Sequence, residues 1–271
     1  VVRLLREAAI DPEVQEIYGT LYRVANRSQV INALINATRN GKRVFVNVEL
    51  QARFDEQQNI RISQKLLEER ATVTYGVPPM KVHAKVLLIR HQNGMVCGFS
   101  TGNFNESTAG AYVDSFLVTA HPELAADAVR LFDFFGQAAG IRALSPPRFR
   151  QLLVSPFNLR QKLTQLINAE RKKGRDGYIF FKVNHLTDKL LIQKIIAAAD
   201  AGVQVDLVVR TTYALSPHSN IRAISILDRY LEHQRAYIFG RGDDARVYLS
   251  SADLMERNLD WRVEVAFPIL D

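Results

Sequence analysis

The feature that most constrains the fold of this chain is an internal repeat with a spacing of 150 residues. Several polar positions recur at this spacing without gaps. The aligned pairs are HAK (83–85) with HQR (233–235), STGN (100–103) with SSAD (250–253), Glu106 with Glu256, and Asp114 with Glu264. A repeated supersecondary pattern predicts two similar folding units. Because Pro146-Pro147 can continue neither a helix nor a central strand, we expect domains at 1–146, with the HAK motif, and 147–271, with the HQR motif.

Strands and helices alternate along both copies. Ser28 and Asp188 are positioned to cap helices that end at Gly41 and Gly202, and Pro122 opens a third helix. A looser match between 21–50 and 180–209 gives each copy the order strand, polar loop, helix, glycine, strand. This order predicts an α/β fold. Short β-branched and aromatic runs predict strands at 44–50, 85–89, 116–120, 178–183, 205–209 and 263–267.

The charge balance favours polyanionic partners. Lys and Arg number 35 against 28 Asp and Glu, a net charge of +7, which suits nucleic acid, anionic lipid, nucleotides or a phosphate polymer. The single cysteine, Cys97, excludes an intramolecular disulfide framework and a Cys-rich zinc site. No apolar run reaches the about 18 residues of a membrane span, so we expect a cytoplasmic protein. The chain opens at Val1 without an initiator Met, so we expect a fragment.

A histidine followed two residues later by a cation suits phosphoryl chemistry in each copy. On an extended strand, His83 would share a face with Lys85, and His233 with Arg235. Imidazole can attack phosphorus or donate a proton, while a cation holds non-bridging oxygens. The turn at 98–105 (GFSTGNFN) offers small residues and donors that can approach a phosphate closely. If the copies face each other about a pseudo-two-fold axis, one histidine would be the nucleophile and the other the acid.

Three arginines stand at places where ligands gather in such sheets. Arg23 and Arg53 lie at a strand end or in the loop that follows it, and Arg210 directly follows a predicted strand. Ligands bind outside the carboxyl ends of strands in open α/β sheets. The positions of these arginines therefore predict phosphate binding.

The H-x-K and G-x-N patterns resemble the phospholipase D superfamily, although that motif continues with an Asp five residues after the Lys. Here Arg90 stands at that position and Gly240 at its counterpart, which weakens a hydrolase interpretation. Longer segments, together running over essentially the whole chain, resemble the polyphosphate kinase family. They are VNVELQARFDE (46–56), KVHAKVLL (81–88), STGNFNESTA (100–109), NIRAISILDRYLEH (220–233) and VYLSSADLMERN (247–258).

The resemblance implies two tandem phospholipase-D-like domains, each a mixed β-sheet flanked by helices, with the second truncated at its C-terminus. It implies reversible transfer of the terminal phosphate of ATP to inorganic polyphosphate through a phosphohistidine, with Mg²⁺ as cofactor. The implied partners are ATP, ADP and polyphosphate but not nucleic acid, and the full-length protein is expected to be a homo-oligomer. The alternatives are a phospholipase-D-type phosphodiesterase or nuclease, and a non-enzymatic nucleic-acid-binding surface.

The same resemblance assigns roles to individual residues. His83 is the histidine that becomes phosphorylated, and His233 is the general acid. Arg23 and Arg53 match positions assigned to magnesium, but a guanidinium has no lone pair, so we expect them to hold phosphate oxygens that carry the ion. The sequence does not identify the group that orients His83. The predicted ATP contacts are Tyr112, Arg210 and His233, and the predicted phosphate contacts are Lys85, Arg53, Arg235 and Asn103.

Overall fold

The computed structural model describes residues 1–25, 27–52, 56–138, 140 and 146–270. Up to residue 138 the elements are α1 (Val2–Ile10), β1 (Val14–Leu21), α2 (Gln29–Arg39), β2 (Arg43–Val48), α3 (Glu56–Glu68), β3 (Thr72–Tyr75), β4 (Lys81–Val82), β5 (Val86–His91), β6 (Gly94–Ser100), α4 (Glu106–Ala109), β7 (Tyr112–Val113), β8 (Phe116–Thr119) and α5 (Pro122–Ala138). Then follow β9 (Leu153–Ser155), α6 (Leu159–Lys173), β10 (Tyr178–Leu186), α7 (Lys189–Asp200), β11 (Gln204–Tyr213), β12 (Ile221–Ile224), β13 (Leu231–Glu232), β14 (Arg235–Phe239), β15 (Arg246–Ser250), α8 (Glu256–Asp260) and β16 (Arg262–Pro268).

The chain divides into two units that are not continuous in sequence. The first comprises Val1–Ala111 and Phe116–Gln151, and the second comprises Tyr112–Ser115 and Leu152–Asp271. The segment after Pro146-Pro147 stays with the first unit up to Gln151 because Asp127 of α5 holds it. The buried Asp127 carboxylate accepts hydrogen bonds from the backbone N–H groups at positions 150 and 151, at 2.9 and 2.7 Å.

Both units are built on a mixed sheet of the same topology. The first has the strand order β3-β2-β1-β5-β6-β8, and the second has β12-β11-β10-β14-β15-β16, with β9 added to β16. In each, the first three strands run parallel and the remaining pairs are antiparallel. The α/β fold with a repeated mixed sheet, expected from the sequence, is confirmed.

Local chemistry accounts for the ends of the two equivalent helices α2 and α7. The Ser28 hydroxyl accepts from two backbone N–H groups at the start of α2, at 3.1 and 3.3 Å, and the Asp188 carboxylate accepts one at the start of α7. Gly41 and Gly202 follow the helix ends with φ of +80° and +99°, a left-handed conformation in which a side chain would be strained. The predicted caps are therefore confirmed.

The first strand of the repeat lies further upstream than the match of 21–50 with 180–209 suggests. That match begins a strand at Leu21, whereas Leu21 is the last residue of β1. The sequence of β1, VQEIYGTL, contains Glu16 and Gly19, which obscure its apolar pattern. Both residues are buried all the same, because helices cover both faces of this sheet.

Each sheet buries one face under helices that precede or connect its parallel strands. In the first unit α1, α2 and α3 cover the face that carries Ile17, Val44 and Val46. In the second, α6 and α7 cover the face that carries Phe181 and Leu207. No helix in the described part of the chain combines the length and apolarity that a membrane span requires.

Candidate functional site

His83 lies in the short stretch between β4 and β5, and β1 holds this stretch in place. The Thr20 hydroxyl of β1 donates to the Ala84 carbonyl at 2.7 Å and accepts from the Val86 N–H at 3.0 Å. These two bonds tie the residues that directly follow His83 to β1. His83 itself stays partly exposed, as a group that meets a substrate must be.

Aromatic and cationic side chains surround His83 within the first unit. The Tyr22 ring stands edge-on to the imidazole, with centroids 4.7 Å apart and an interplanar angle of 86°. The Lys85 ammonium lies 5.2 Å from the Tyr22 centroid and donates to the His83 carbonyl at 2.5 Å. The Arg23 guanidinium lies 5.8 Å from the same centroid. The structure therefore brings together three predicted site residues around Tyr22, which the sequence did not single out.

The turn after β6 carries the predicted phosphate ligand Asn103. The Gly102 N–H donates to the Ser100 hydroxyl at 3.1 Å, which fixes the start of the turn. The side-chain oxygen of Asn103 is buried and has no hydrogen-bond partner among the described residues. A buried oxygen without a partner is costly in a folded protein. Arg53, the remaining predicted phosphate contact of the first unit, lies outside the described residues.

His233 occupies the corresponding place between β13 and β14, and both of its ring nitrogens have partners. Its Nδ1 lies 2.9 Å from each carboxylate oxygen of Asp114, and its Nε2 lies 3.0 Å from Nη1 of Arg235. A guanidinium can only donate, so Nε2 accepts and the ring proton resides on Nδ1. Asp114 and Arg235 together therefore fix both the tautomer and the orientation of His233.

The predicted nucleotide contacts lie together in the second unit. The ring of Tyr112 lies 5.2 Å from that of His233 at an angle of 44°, because β7 pairs in parallel with β13. Arg210 donates from Nη1 to the Glu232 carbonyl at 3.0 Å, next to the histidine. Burial lowers the pKa of Arg210, and the positive charge of Arg235 lowers it further. Binding of an anion would relieve this repulsion.

The predicted phosphate ligand Arg235 is engaged in a buried ion pair. Its guanidinium donates to the Asp253 carboxylate at 3.2 and 3.1 Å, and only 4% of the residue is exposed. Burial alone would lower the pKa of Arg235, but the Asp253 charge raises it overall. Burial likewise opposes ionisation of Asp253, yet Arg235 brings its pKa below the ordinary value. Both groups are therefore charged, and Arg235 acts on His233 from a fixed position.

The two histidine motifs share the same local geometry. In each, the cation two residues after the histidine donates to the histidine carbonyl, and a serine hydroxyl accepts from the N–H two residues on. The matched bonds are Lys85 to His83 (2.5 Å) with Arg235 to His233 (2.7 Å), and Gly102 to Ser100 (3.1 Å) with Ala252 to Ser250 (3.0 Å). The repeat is therefore a repeat of site geometry as well as of sequence.

The partner of His233 is a residue that the sequence does not assign. The motif position that usually carries an Asp is Gly240 in this half, and Asp114 supplies the carboxylate from much earlier in the chain. The feature of the sequence that could have indicated Asp114 as a site residue is the 150-residue spacing, which pairs Asp114 with Glu264. Glu264 is itself fully buried, with its carboxylate accepting from other side chains of the second unit at 2.6 Å.

The described site residues do not form a cluster of three or more metal ligands. Among the described residues, no three His, Cys, Asp or Glu side chains are grouped in a way that could hold one. Arg23, which resemblance connects with Mg²⁺, cannot ligate a cation because guanidinium nitrogens have no lone pair to give. The cations near the Tyr22 ring beside His83, Lys85 and Arg23, are hydrogen-bond donors of the kind that phosphate oxygens accept from.

Two mixed sheets of the same topology, with a histidine motif in each unit, define an α/β protein built from two copies of one domain. A phosphatidylserine synthase of Haemophilus influenzae Rd KW20 shares this fold with a TM-score of 0.66 at 13% identity, over 100% of this chain and 80% of that one. Family models described as polyphosphate kinase C-terminal domain 1 and domain 2 match residues 1–140 and 152–271. The chain belongs to the polyphosphate kinase family, as its motifs indicated.

Individual relatives agree with this assignment. The polyphosphate kinase of Escherichia coli K12 is 45% identical over the whole chain, and that of Bacillus cereus is 43% identical. The crystal structure of polyphosphate kinase from Porphyromonas gingivalis superimposes with a TM-score of 0.88 at 41% identity, over 100% of this chain and 45% of that one. The chain spans 40% of the length of these two curated relatives.

Proposed function

We propose that this chain carries the phosphoryl-transfer site of a polyphosphate kinase, which reversibly moves the terminal phosphate of ATP to inorganic polyphosphate. The observation that carries the proposal is the recurrence of one local geometry around His83 and His233 in a chain of this family. Because the chain spans 40% of its relatives' length, the complete reaction is proposed for the full-length polypeptide.

The proposed reaction has two displacements at phosphorus. A ring nitrogen of His83 attacks the γ-phosphorus of ATP, the bond from that phosphorus to the bridging oxygen breaks, and ADP leaves. A terminal oxygen of polyphosphate then attacks the same phosphorus, the nitrogen–phosphorus bond breaks, and the polymer is longer by one phosphate. Such transfers need positioning and neutralisation of charge. Lys85 and Arg23, both beside the Tyr22 ring next to His83, are suited to neutralise the transferred group.

His233 is proposed to exchange a proton with the leaving oxygen of ADP. Its Nδ1–H is bonded to Asp114, and a carboxylate at this position stabilises the imidazolium form. The proton to be donated must therefore reside on Nε2. Since Nε2 accepts from Arg235, protonation of Nε2 requires this contact to open.

The neighbours of His233 would bind the nucleotide. Tyr112 offers an aromatic ring and Arg210 a partly buried cation within the same unit. In the first unit, the unpartnered side-chain oxygen of Asn103 could accept from a protonated group or a bound water. Mg²⁺, when it accompanies the nucleotide phosphates, would supply further neutralisation of charge.

The test follows the phosphate onto the protein. Full-length polypeptide incubated with γ-labelled ATP should acquire label that is labile to acid and stable to base, and His83→Ala should abolish it. His91→Ala, which alters another histidine of the same unit, serves as the control and should keep the label. Label that persists in His83→Ala would overturn the assignment of the nucleophile.

A phosphodiesterase would behave differently. It would hydrolyse a chromogenic phosphodiester in the absence of ATP, and it would require neither polyphosphate nor Mg²⁺. Hydrolysis of bis(p-nitrophenyl) phosphate that depends on His83, together with no label from ATP, would replace the kinase proposal with this alternative.

A further inference from the structure

In the first unit, α5 closes the sheet face that lies opposite α1, α2 and α3. A row of three side chains, Tyr18, Leu88 and Cys97, crosses this face as neighbours in the strand register. Leu88 and Cys97 are 1% and 0% exposed, and the ring of Phe132 in α5 lies 5.4 Å from that of Tyr18. The face is therefore a second core layer, and α5 covers its central side chains from solvent.

The second unit leaves the corresponding face open. Its central row is Phe180, Ile238 and Val247, joined by the same strand pairings as the first row. All three are partly exposed, and so are Ala236 and Leu249 in the next row. We define the open face as Phe180, Val208, Ala236, Ile238, Val247 and Leu249. An apolar sheet face of this kind normally packs against another element.

The repeat shows where in the chain the missing layer belongs. The pairing of Phe99 with Leu117, which joins β6 to β8, becomes the pairing of Leu249 with Phe267, which joins β15 to β16, at the 150-residue spacing. In the first unit, α5 begins at Pro122, shortly after β8. At the same spacing, its equivalent would begin at the position that follows the last residue of this chain.

We propose that the open face is the docking surface for an amphipathic α-helix that follows Asp271 in the polypeptide and packs as α5 packs in the first unit. The chemistry of the face fits this occupant, since its central row is apolar and one end is polar. At that end the Tyr178 hydroxyl donates to Asp206 at 2.9 Å, and the Arg241 guanidinium lies 4.2 Å from the Tyr178 ring centroid. An apolar centre with a polar rim is the usual anatomy of an interface.

Docking would act on the strand next to the candidate site. β14 begins two residues after His233 and presents Ala236 and Ile238 to the open face, while Tyr237 and Phe239 face the core under α6 and α7. A helix on the open face would bury the second side of β14. The helix would thus stabilise the strand that directly follows His233, whatever reaction the motif at 233–235 performs.

The test uses thiol labelling at matched positions. Val247→Cys places a thiol on the open face, and the native Cys97 occupies the equivalent position under α5, so each sample contains its own control. In the chain that ends at Asp271, a maleimide should label position 247 at least roughly tenfold faster than Cys97, because covered sites react only through opening. In the polypeptide that continues beyond Asp271, the rate of labelling at position 247 should fall by roughly tenfold or more.

Equal labelling of position 247 in both lengths would overturn the proposal. Protection in the shorter chain that increases with protein concentration would also overturn it, because a second copy would then be the occupant. Circular dichroism checks that Val247→Cys, a nearly isosteric change, folds. As a second measure, Ile238→Asp should lower the unfolding midpoint of the extended polypeptide clearly more than that of the shorter chain, and equal losses would count against the docked helix.

Discussion

The buried pair of Arg235 and Asp253 offers the sharpest test of how the second histidine motif is held. Asp253 accepts two hydrogen bonds from Arg235 and two from the backbone N–H groups of Asn184 and His185. Asp253→Ala removes all four acceptor contacts and leaves a guanidinium that is 4% exposed without its counter-charge. Loss of one partner of a buried pair costs about 3–5 kcal/mol, and the stranded backbone donors favour the upper part of that range.

Urea unfolding followed by tryptophan fluorescence measures this loss. Trp261 is the single tryptophan of the chain and belongs to the second unit, so its emission reports on the unit that is perturbed. With a slope of about 2 kcal/mol/M, the midpoint should fall by about 2 M. Asp200→Ala is the matched control, because it removes a largely exposed carboxylate bonded to His218 in the same unit, and its midpoint should change little.

The pH dependence and a double variant complete the test. Arg235 holds the pKa of Asp253 below its unfolded value of about 3.9. The stability that the pair contributes is therefore present above about pH 4 and is lost as pH falls through the folded pKa. The difference in the free energy of unfolding between wild type and Asp253→Ala should therefore become smaller as the pH falls below about 4. Replacing both partners, as Arg235→Met with Asp253→Leu, should recover the part of the loss that comes from the uncompensated guanidinium charge. The part that comes from the backbone N–H groups of Asn184 and His185 should remain, because leucine offers no acceptor. A cost below about 1 kcal/mol for Asp253→Ala would refute the account.

Three further outcomes are expected. Asp114→Asn should lower the rate of phosphoryl transfer by about 10²-fold or more with little change in substrate affinity, because His233 loses its charge partner; an unchanged rate in a steady-state assay would contradict this role. Leu88→Ala should cost about 2–5 kcal/mol in denaturant unfolding, but Ile238→Ala clearly less in the chain ending at Asp271, because only Leu88 is fully covered; equal costs would argue against the difference in packing. Asp127→Ala should destabilise the first unit by about 1–3 kcal/mol, since two backbone N–H groups lose their acceptor; unchanged unfolding would show that water replaces it.

The parts of the fold that the sequence predicted correctly depend on near neighbours. Ser28 and Asp188 cap helices through bonds that span two or three residues, so a short window contains both donor and acceptor. Strands such as 205–209 and 263–267 were predicted correctly because the apolar residues that indicate them also lie within a short window of sequence. β1 was misplaced because Glu16 and Gly19 break its pattern, and only the finished sheet explains why they are buried.

The site was predictable in its residue types but not in its contacts. The repeat indicated His83 and His233, and each has the predicted cation two residues later. The contact between Asp114 and His233 spans 119 positions, and nothing in the local spacing shows which strand passes beside the second motif. The sequence gives Arg235 the charge of a phosphate ligand, but only the folded chain shows that Asp253 binds it.

The discontinuity of the second unit has a consequence for synthesis on the ribosome. The strand β7 (Tyr112–Val113) can find its partner only after β13 has emerged, more than a hundred residues later. Until then the nascent chain carries an unpaired strand, and open strand edges invite wrong pairings. Expression of residues 1–151 and 152–271 as separate fragments would also separate Asp114 and Tyr112 from His233. Neither of two fragments divided at the family-model boundaries would therefore contain a complete second site.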